Sequence, residues 1–203
     1  MQAQNSNVMN EANDDTAAQI LDVAQELIQT RGYNAISYQD IADRVGIRKA
    51  SIHHHFAGKS VLATALVQRY RAQWIGLLTA IDRGSKDPWE KLDRYIKPFR
   101  TTMSTADRAC LCGMLGAEFA SLEPLVQLEV QGFFKDNMRW LATLLRDGRK
   151  IGAFHFAGGP ASEAGVLFGC LEGALLVARA CGEPKQFEAV VRQLKTQLRE
   201  QTK

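Results

Sequence analysis

Residues 37–59 read SYQDIADRVGIRKASIHHHFAGK, and the spacing inside this stretch decides how the rest of the chain is read. Ser37 stands three residues before Asp40, an acidic version of the capping box that opens a helix. Ile41, Ala42 and Val45 continue that helix to Gly46, a residue that can adopt the left-handed conformation that ends it. A second short helix is expected from about Arg48 to His55. Two short helices cross closely only when the first offers a small side chain, the connection can turn, and apolar residues lock the pair. Ala42 is small, Gly46 turns, and Ile41, Val45, Ile47 and Ile52 lock. The stretch is therefore expected to be a helix-turn-helix.

Working upstream, Ile20, Leu21, Val23, Ala24, Leu27 and Ile28 recur at helical spacing, with Asp14, Asp15 and Thr16 as capping candidates and Gly32 as the stop. Met1 to Asn13 is polar and has no basic residue or apolar core, so it is expected to be a loose tail and not a secretory signal or transit peptide. Downstream of Gly58, the residues Val61, Leu62, Leu66, Trp74, Leu77 and Leu78 mark a longer connecting helix. Beyond Gly84 the breaks at Pro88, Pro98, Ser121 to Pro124, Gly148, Gly158 to Pro160 and Gly182 to Pro184 leave five further helical stretches. Nothing alternates as a strand should. The expected fold is all-α: an N-terminal three-helix helix-turn-helix domain over residues 14–60, fused through the connecting helix to a larger helical effector-binding and dimerisation domain over residues 61–203.

The 203 residues are 46% hydrophobic and 23% charged, a balance that buries a core and argues against wholesale disorder. A net charge of +3 is too small to identify a nucleic-acid binder, so the placement of charge has to carry that argument. Between Arg44 and Ile81 there is no Asp or Glu, whereas Arg44, Arg48, Lys49, Lys59, Arg69 and Arg71 are all basic. Such a patch gains free energy on a duplex by releasing counterions. The long apolar run from Ala164 to Cys181 is broken by Glu172 and Arg179, and a membrane span needs about 20 predominantly apolar residues. It is expected to be a buried or dimerising helix, with no membrane partner. Four cysteines without an export signal point to free thiols in a reducing cytoplasm.

Chemistry other than binding is hard to place. His53, His54 and His55 are consecutive, and consecutive helical side chains point about 100° apart, so they do not share a metal ion. His55 is expected to pack inward beside Phe56, with His53 and His54 facing outward. There is no nucleophile elbow, zinc-protease motif or phosphate-cradling glycine loop, so neither an enzyme nor a metal or other cofactor is expected. Cys110 and Cys112, on a helix, project about 200° from one another, which suits neither a shared metal nor a disulfide between them. They read as small core residues first, and as thiol sensors second because Arg108 lies nearby.

The stretches from Gly32 to Ala42 and from Val45 to Phe56, followed by Lys59, resemble the DNA-binding signature of the TetR/AcrR family of transcriptional regulators, without a gap over residues 16 to 62. The resemblance implies a homodimer on double-stranded operator DNA, acting as a repressor that a small apolar or electrophilic effector releases. It implies phosphate contacts from Ser37, Tyr38 and Lys59, and major-groove contacts from Arg48, Lys49, Ala50, Ser51 and His54. Two positions depart from the family pattern. Arg48 stands where Ser or Thr is usual and adds a phosphate or guanine contact, and His53 replaces a tyrosine with a donor that strengthens on protonation. An effector pocket would draw on the aromatic and Met stripe of the larger part, with Phe99, Met103, Cys110, Met114, Phe134 and Met138 as candidates. The alternative is a helical ligand-binding or enzymatic protein that does not act on DNA.

Overall fold

The computed structural model describes residues 2–105 and 107–200, with side chains from residue 15 onward. Among the described residues all regular structure is helical. The order is α1 (Gln2–Arg31), α2 (Tyr38–Val45), α3 (Lys49–His55), α4 (Lys59–Gly84), α5 (Pro88–Ser104), α6 (Leu111–Ala117), a single 3-10 turn (Phe119–Ser121), α7 (Pro124–Lys150), α8 (Pro160–Cys181) and α9 (Pro184–Arg199). Five of these helices follow Gly84, the number expected, although not all of the expected breaks separate them. Pro88, Pro124, Pro160 and Pro184 each open a helix, where the missing amide hydrogen costs nothing.

Three expectations about boundaries need correction. α1 starts at Gln2, so residues 2–13 are helical and not a loose tail, and the chain does not break at residues 14–16. Once Ile20, Ala24, Leu27 and Ile28 are packed, extending the helix adds a hydrogen bond per residue without a new nucleus, and no Gly or Pro stands upstream to stop it. Pro98 lies inside α5 and does not divide it, although it cannot donate the bond that would close on the Arg94 carbonyl. Gly148 is likewise internal to α7. Its role is close approach: Ala153 and Phe154 both donate to its carbonyl, at 2.8 and 3.4 Å, and a methyl group there would collide with the Phe154 ring.

The larger body packs α8 between α7 and α9, with α4 lying along α7. At its centre Trp74 meets Tyr95, Phe99 and Phe133 edge-on, with ring centroids 5.6 to 5.9 Å apart. The apolar run of α8 is a core helix in this arrangement, with Leu167, Phe168, Leu171 and Leu175 buried. Cys110 is the residue before α6 and Cys112 lies in its first turn, so the two do not share a helix as the sequence suggests, and both are buried.

Candidate nucleic-acid interface

α2 and α3 are built from contacts a few residues long. Ser37 caps α2: its hydroxyl and backbone amide both donate to the Asp40 carboxylate, at 2.5 and 2.8 Å, and the Asp40 amide returns to the Ser37 hydroxyl at 3.3 Å. These bonds hold the Asp40 carboxyl below its ordinary value. Gly46, at φ 79°, ends the helix by donating to the Ala42 carbonyl at 2.9 Å, and Ile47 donates to the same oxygen at 3.1 Å. Ile52 is wholly buried and pins α3 from behind. Arg48, Lys49, Ala50, His53 and His54 are left exposed and Ser51 half-buried. Among the described residues no hydrogen bond or ion pair engages the side chains of Arg48 and Lys49.

The other predicted residues are engaged in different ways. Tyr38 is buried, and its hydroxyl donates to the Phe56 carbonyl at 3.0 Å, so its backbone N–H, at the first position of α2, is what faces outward chemistry. Burial pushes its phenol up to about 12. His53 donates from Nδ1 to the Ala57 carbonyl at 3.4 Å and its ring lies 4.8 Å from that of Tyr38. His55 is half-buried beside Phe56, with ring centroids 6.4 Å apart. Lys59, in the first turn of α4, is half-buried with its ammonium 4.3 Å from the centre of the Tyr33 ring, and burial lowers its pKa against the pull of Glu118, Glu123 and Asp40.

The acid-free basic run of the sequence is not acid-free in space. Arg44 bonds Glu26 at 2.6 Å, Arg69 pairs with Asp22 at 2.8 Å, and Arg71 joins Glu129 and Asp136 at 3.1 and 2.6 Å. Those acids come from α1 and α7, outside residues 44–81. Among the described residues the cations of the run left without an ion pair are Arg48 and Lys49, exposed on and beside α3, and the half-buried Lys59 at the start of α4.

Behind this surface lies a seam that the sequence did not reveal. The Glu118 carboxylate, at the end of α6, accepts the amides of Tyr33 and Asn34 at 2.8 and 3.1 Å. Tyr33 donates its hydroxyl to Glu123 at 3.0 Å, and Asn34 donates to Ser121 at 2.8 Å. Gly32, at φ 89°, sits against Glu118, and a side chain there would strike the carboxylate. On α1, the Gln29 amide donates to the Ala109 carbonyl at 3.0 Å, and Arg179 of α8 donates to the Thr30 carbonyl at 2.6 Å. Residues from 108 to 123 and Arg179 thus hold the α1–α2 connection.

Of the predicted effector residues, Phe99 and Cys110 are buried and Met103, Met114, Phe134 and Met138 are partly buried. None of the six lines the cleft of about 500 Å³ between α1, α4 and α5. Met103 borders a smaller one of about 120 Å³ beside Arg108 and Arg179. Arg108 does not activate a thiol, because its guanidinium pairs with Glu26 at 2.8 Å. Burial pushes both the Cys110 and Cys112 thiols up, as does the nearby Glu172 carboxylate.

Comparison with known proteins gives a consistent result. Residues 20–66 match the family of bacterial regulatory proteins, tetR family. The fold is similar to that of a TetR-family transcriptional regulator from Agrobacterium tumefaciens, with a TM-score of 0.88 and 35% identity over 92% of this chain and 98% of the other. A TetR transcriptional regulator from Legionella pneumophila gives a TM-score of 0.81 and 30% identity over 89% and 95%. Among characterised proteins the chain is similar to the HTH-type transcriptional repressor NemR of Escherichia coli, 23% identical over 170 residues, which are 81% of this chain and 84% of NemR.

Proposed function

The chain belongs to the TetR family of bacterial regulatory proteins and is a DNA-binding transcriptional regulator; from that premise we propose that it is a homodimeric repressor, not an enzyme, released from its operator by a small-molecule effector. The observation that carries the reading is the outward face of α3, where Arg48, Lys49, Ala50 and His54 are exposed while Ile52 anchors the helix from behind. A short helix presenting cations and a small residue is shaped to enter a major groove. In this reading Lys49, Ala50, Ser51 and His54 meet base edges and Arg48 a guanine or a phosphate. His53, Lys59 and the Tyr38 N–H at the first position of α2 serve the phosphates, while the Ser37 hydroxyl and N–H, both donated to Asp40, hold that end of α2 in place.

The division of labour proposed is a reading head over residues 14–60 and an effector-binding and dimerisation body over residues 61–203. What supports a dimer is α8. Gly165, Gly169 and Gly173 would meet nothing within 4 Å if each carried a methyl group, and Val166, Leu176 and Val177 are exposed. At about 100° per residue these six positions fall within about 120° of one another, an open apolar stripe with room for a second helix. A second copy, using α8 and α9 from each chain, would close it with two-fold symmetry. The repressor NemR is the relative that suggests the sign of regulation.

Retention of the purified protein on mixed genomic duplex, titrated with salt, tests the central claim. Binding that falls linearly with salt on logarithmic axes is expected, and absence of retention at low salt would favour the rival reading of a helical ligand-binding protein that ignores DNA. A sedimentation mass of one chain at micromolar concentration would remove the dimer.

A further inference from the structure

The cleft between α1, α4 and α5 has a charge and polarity that select a ligand class. Among the described residues three cations, Arg94, Lys97 and Arg108, line it, and no carboxylate does. Lys97 is exposed, and among the described residues it has no ion-pair partner. Tyr70 and Trp74, each only 8% exposed, form an aromatic wall. Gln29 lines the cleft from α1 and is 4% exposed. Its amide nitrogen is committed to the Ala109 carbonyl at 3.0 Å, which fixes the orientation of the group, since the reversed amide would set oxygen against oxygen. The Gln29 Oε1 that remains is buried and, among the described residues, has no donor. A buried acceptor left without a donor calls for one from outside the chain.

We propose that this cleft binds an organic anion with a flat apolar body and a hydrogen-bond donor, its charge held by Lys97 and Arg108, its body against Trp74 and Tyr70, and its donor on Gln29 Oε1. This deepens the reading of the chain as an effector-released regulator and rests on it for biological meaning. It moves the effector away from the Met and Phe residues singled out from sequence. The cleft also has a direct line to the reading head. Arg108 bonds Glu26 at 2.8 Å, and the other oxygen of Glu26 takes Arg44, in the last turn of α2, at 2.6 Å. A ligand anion on Arg108 competes with Glu26 for that guanidinium and so acts on the carboxylate that ties α1 to α2.

Calorimetric titration of the full chain with 6-hydroxy-2-naphthoate, 2-naphthoate and 6-hydroxy-2-naphthamide tests the class directly and without DNA, so its outcome is independent of whether the chain is retained on duplex. The hydroxy acid is expected to bind once per chain, with the amide about tenfold weaker. The acid lacking the hydroxyl is expected to be about fivefold weaker. Lys97→Gln, an exposed position whose change leaves the fold intact, is expected to erase most of the difference between acid and amide. Equal affinity for acid and amide, no saturable heat from the hydroxy acid, or an unchanged acid affinity in Lys97→Gln overturns the proposal. Equal affinity of the two acids overturns the role given to Gln29.

Discussion

In the reading head the contacts that set geometry are short in sequence: Ser37 with Asp40, and Gly46 with Ala42. In the seam behind it they are long, with 80 residues between Gln29 and Ala109, 85 between Tyr33 and Glu118, and 149 between Thr30 and Arg179. The charges differ as well. Arg48 and Lys49 stand in solvent, whereas Glu172 of α8 has both carboxylate oxygens buried with no N–H or O–H donor among the described residues. The difference assigns separate tasks to the two regions. A head closed by its own local bonds keeps its shape when the body changes, so what the body can alter is the position of the head, through the few polar bonds at the seam. That is the arrangement a two-state switch requires, in which an effector biases one of two placements of a rigid element.

The sharpest break of this comparison is a negative charge introduced on the exposed face of α3. Ala50→Glu places a carboxylate where phosphates and base edges would lie, while leaving Ile52 and both helix caps untouched. Loss of about a hundredfold in duplex affinity, close to 3 kcal/mol, is expected with an unchanged thermal midpoint. Duplex titration alongside circular dichroism measures both. Unaltered affinity would mean that α3 does not face DNA.

The second test concerns buried charge in the body. Burial drives the Glu172 carboxyl from an ordinary 4.5 up to about 7, beside Cys110, just before α6, and Cys112 in its first turn, and within reach of Tyr70 and Tyr95. The folded state therefore binds this proton more tightly than the unfolded state. The stability it contributes is complete below about pH 4.5 and is lost as pH rises through about 7, roughly 3 kcal/mol in all. Urea unfolding at pH 5 and pH 8, at fixed protein concentration, should show Glu172→Gln losing this contribution to the pH slope and gaining stability chiefly at pH 8. An identical slope in the variant would show that Glu172 does not carry it.

The seam itself is tested at Glu118. Its carboxylate accepts two backbone amides from the α1–α2 connection, charge-assisted bonds stronger than neutral ones. Glu118→Gln keeps the shape but removes the charge, and about 1.5 kcal/mol of stability should go with it. Faster amide exchange at Tyr33 and Asn34 than across α2 is the expected signature, since the head keeps its own caps. Equal acceleration throughout the head would mean that seam and head are one cooperative unit.

How much of this could be read from the sequence follows the same division. Ser37, Asp40, Ala42 and Gly46 act on neighbours three to five residues away, so their spacing alone predicts the capping box and the turn that the structure contains. Four of the five described helices downstream of Gly84 were legible because prolines open them, at 88, 124, 160 and 184. Glu118, Glu123 and Gln29 carry no local signal, because their partners lie 80 or more residues away and are brought to them only by tertiary packing. The same blindness made the acid-free run look larger than it is, since Glu26, Asp22, Glu129 and Asp136 reach Arg44, Arg69 and Arg71 from other helices. It also made Pro98 and Gly148 look like breaks, because a packing glycine and a tolerated proline are spelled as punctuation is.

Tyr38 is where the two kinds of reading meet, and its test has the smallest expected effect. The family resemblance gives its hydroxyl to a phosphate, whereas the structure buries that hydroxyl on the Phe56 carbonyl at 3.0 Å, a bond that ties the start of α2 to the end of α3. Tyr38→Phe removes one buried hydrogen bond and leaves an acceptor unpaired, so about 1 kcal/mol of stability should be lost. Duplex affinity should stay within about twofold, because the backbone N–H that serves the phosphate survives the change. If the hydroxyl instead left Phe56 for the phosphate on binding, affinity would fall about tenfold, and the salt slope would not change because no charge is removed. Paired measurement of the unfolding midpoint and of duplex affinity at two salt concentrations separates the outcomes. A stable variant with weakened binding would show that the head rearranges on DNA, and that its local bonds do not fix its shape in advance.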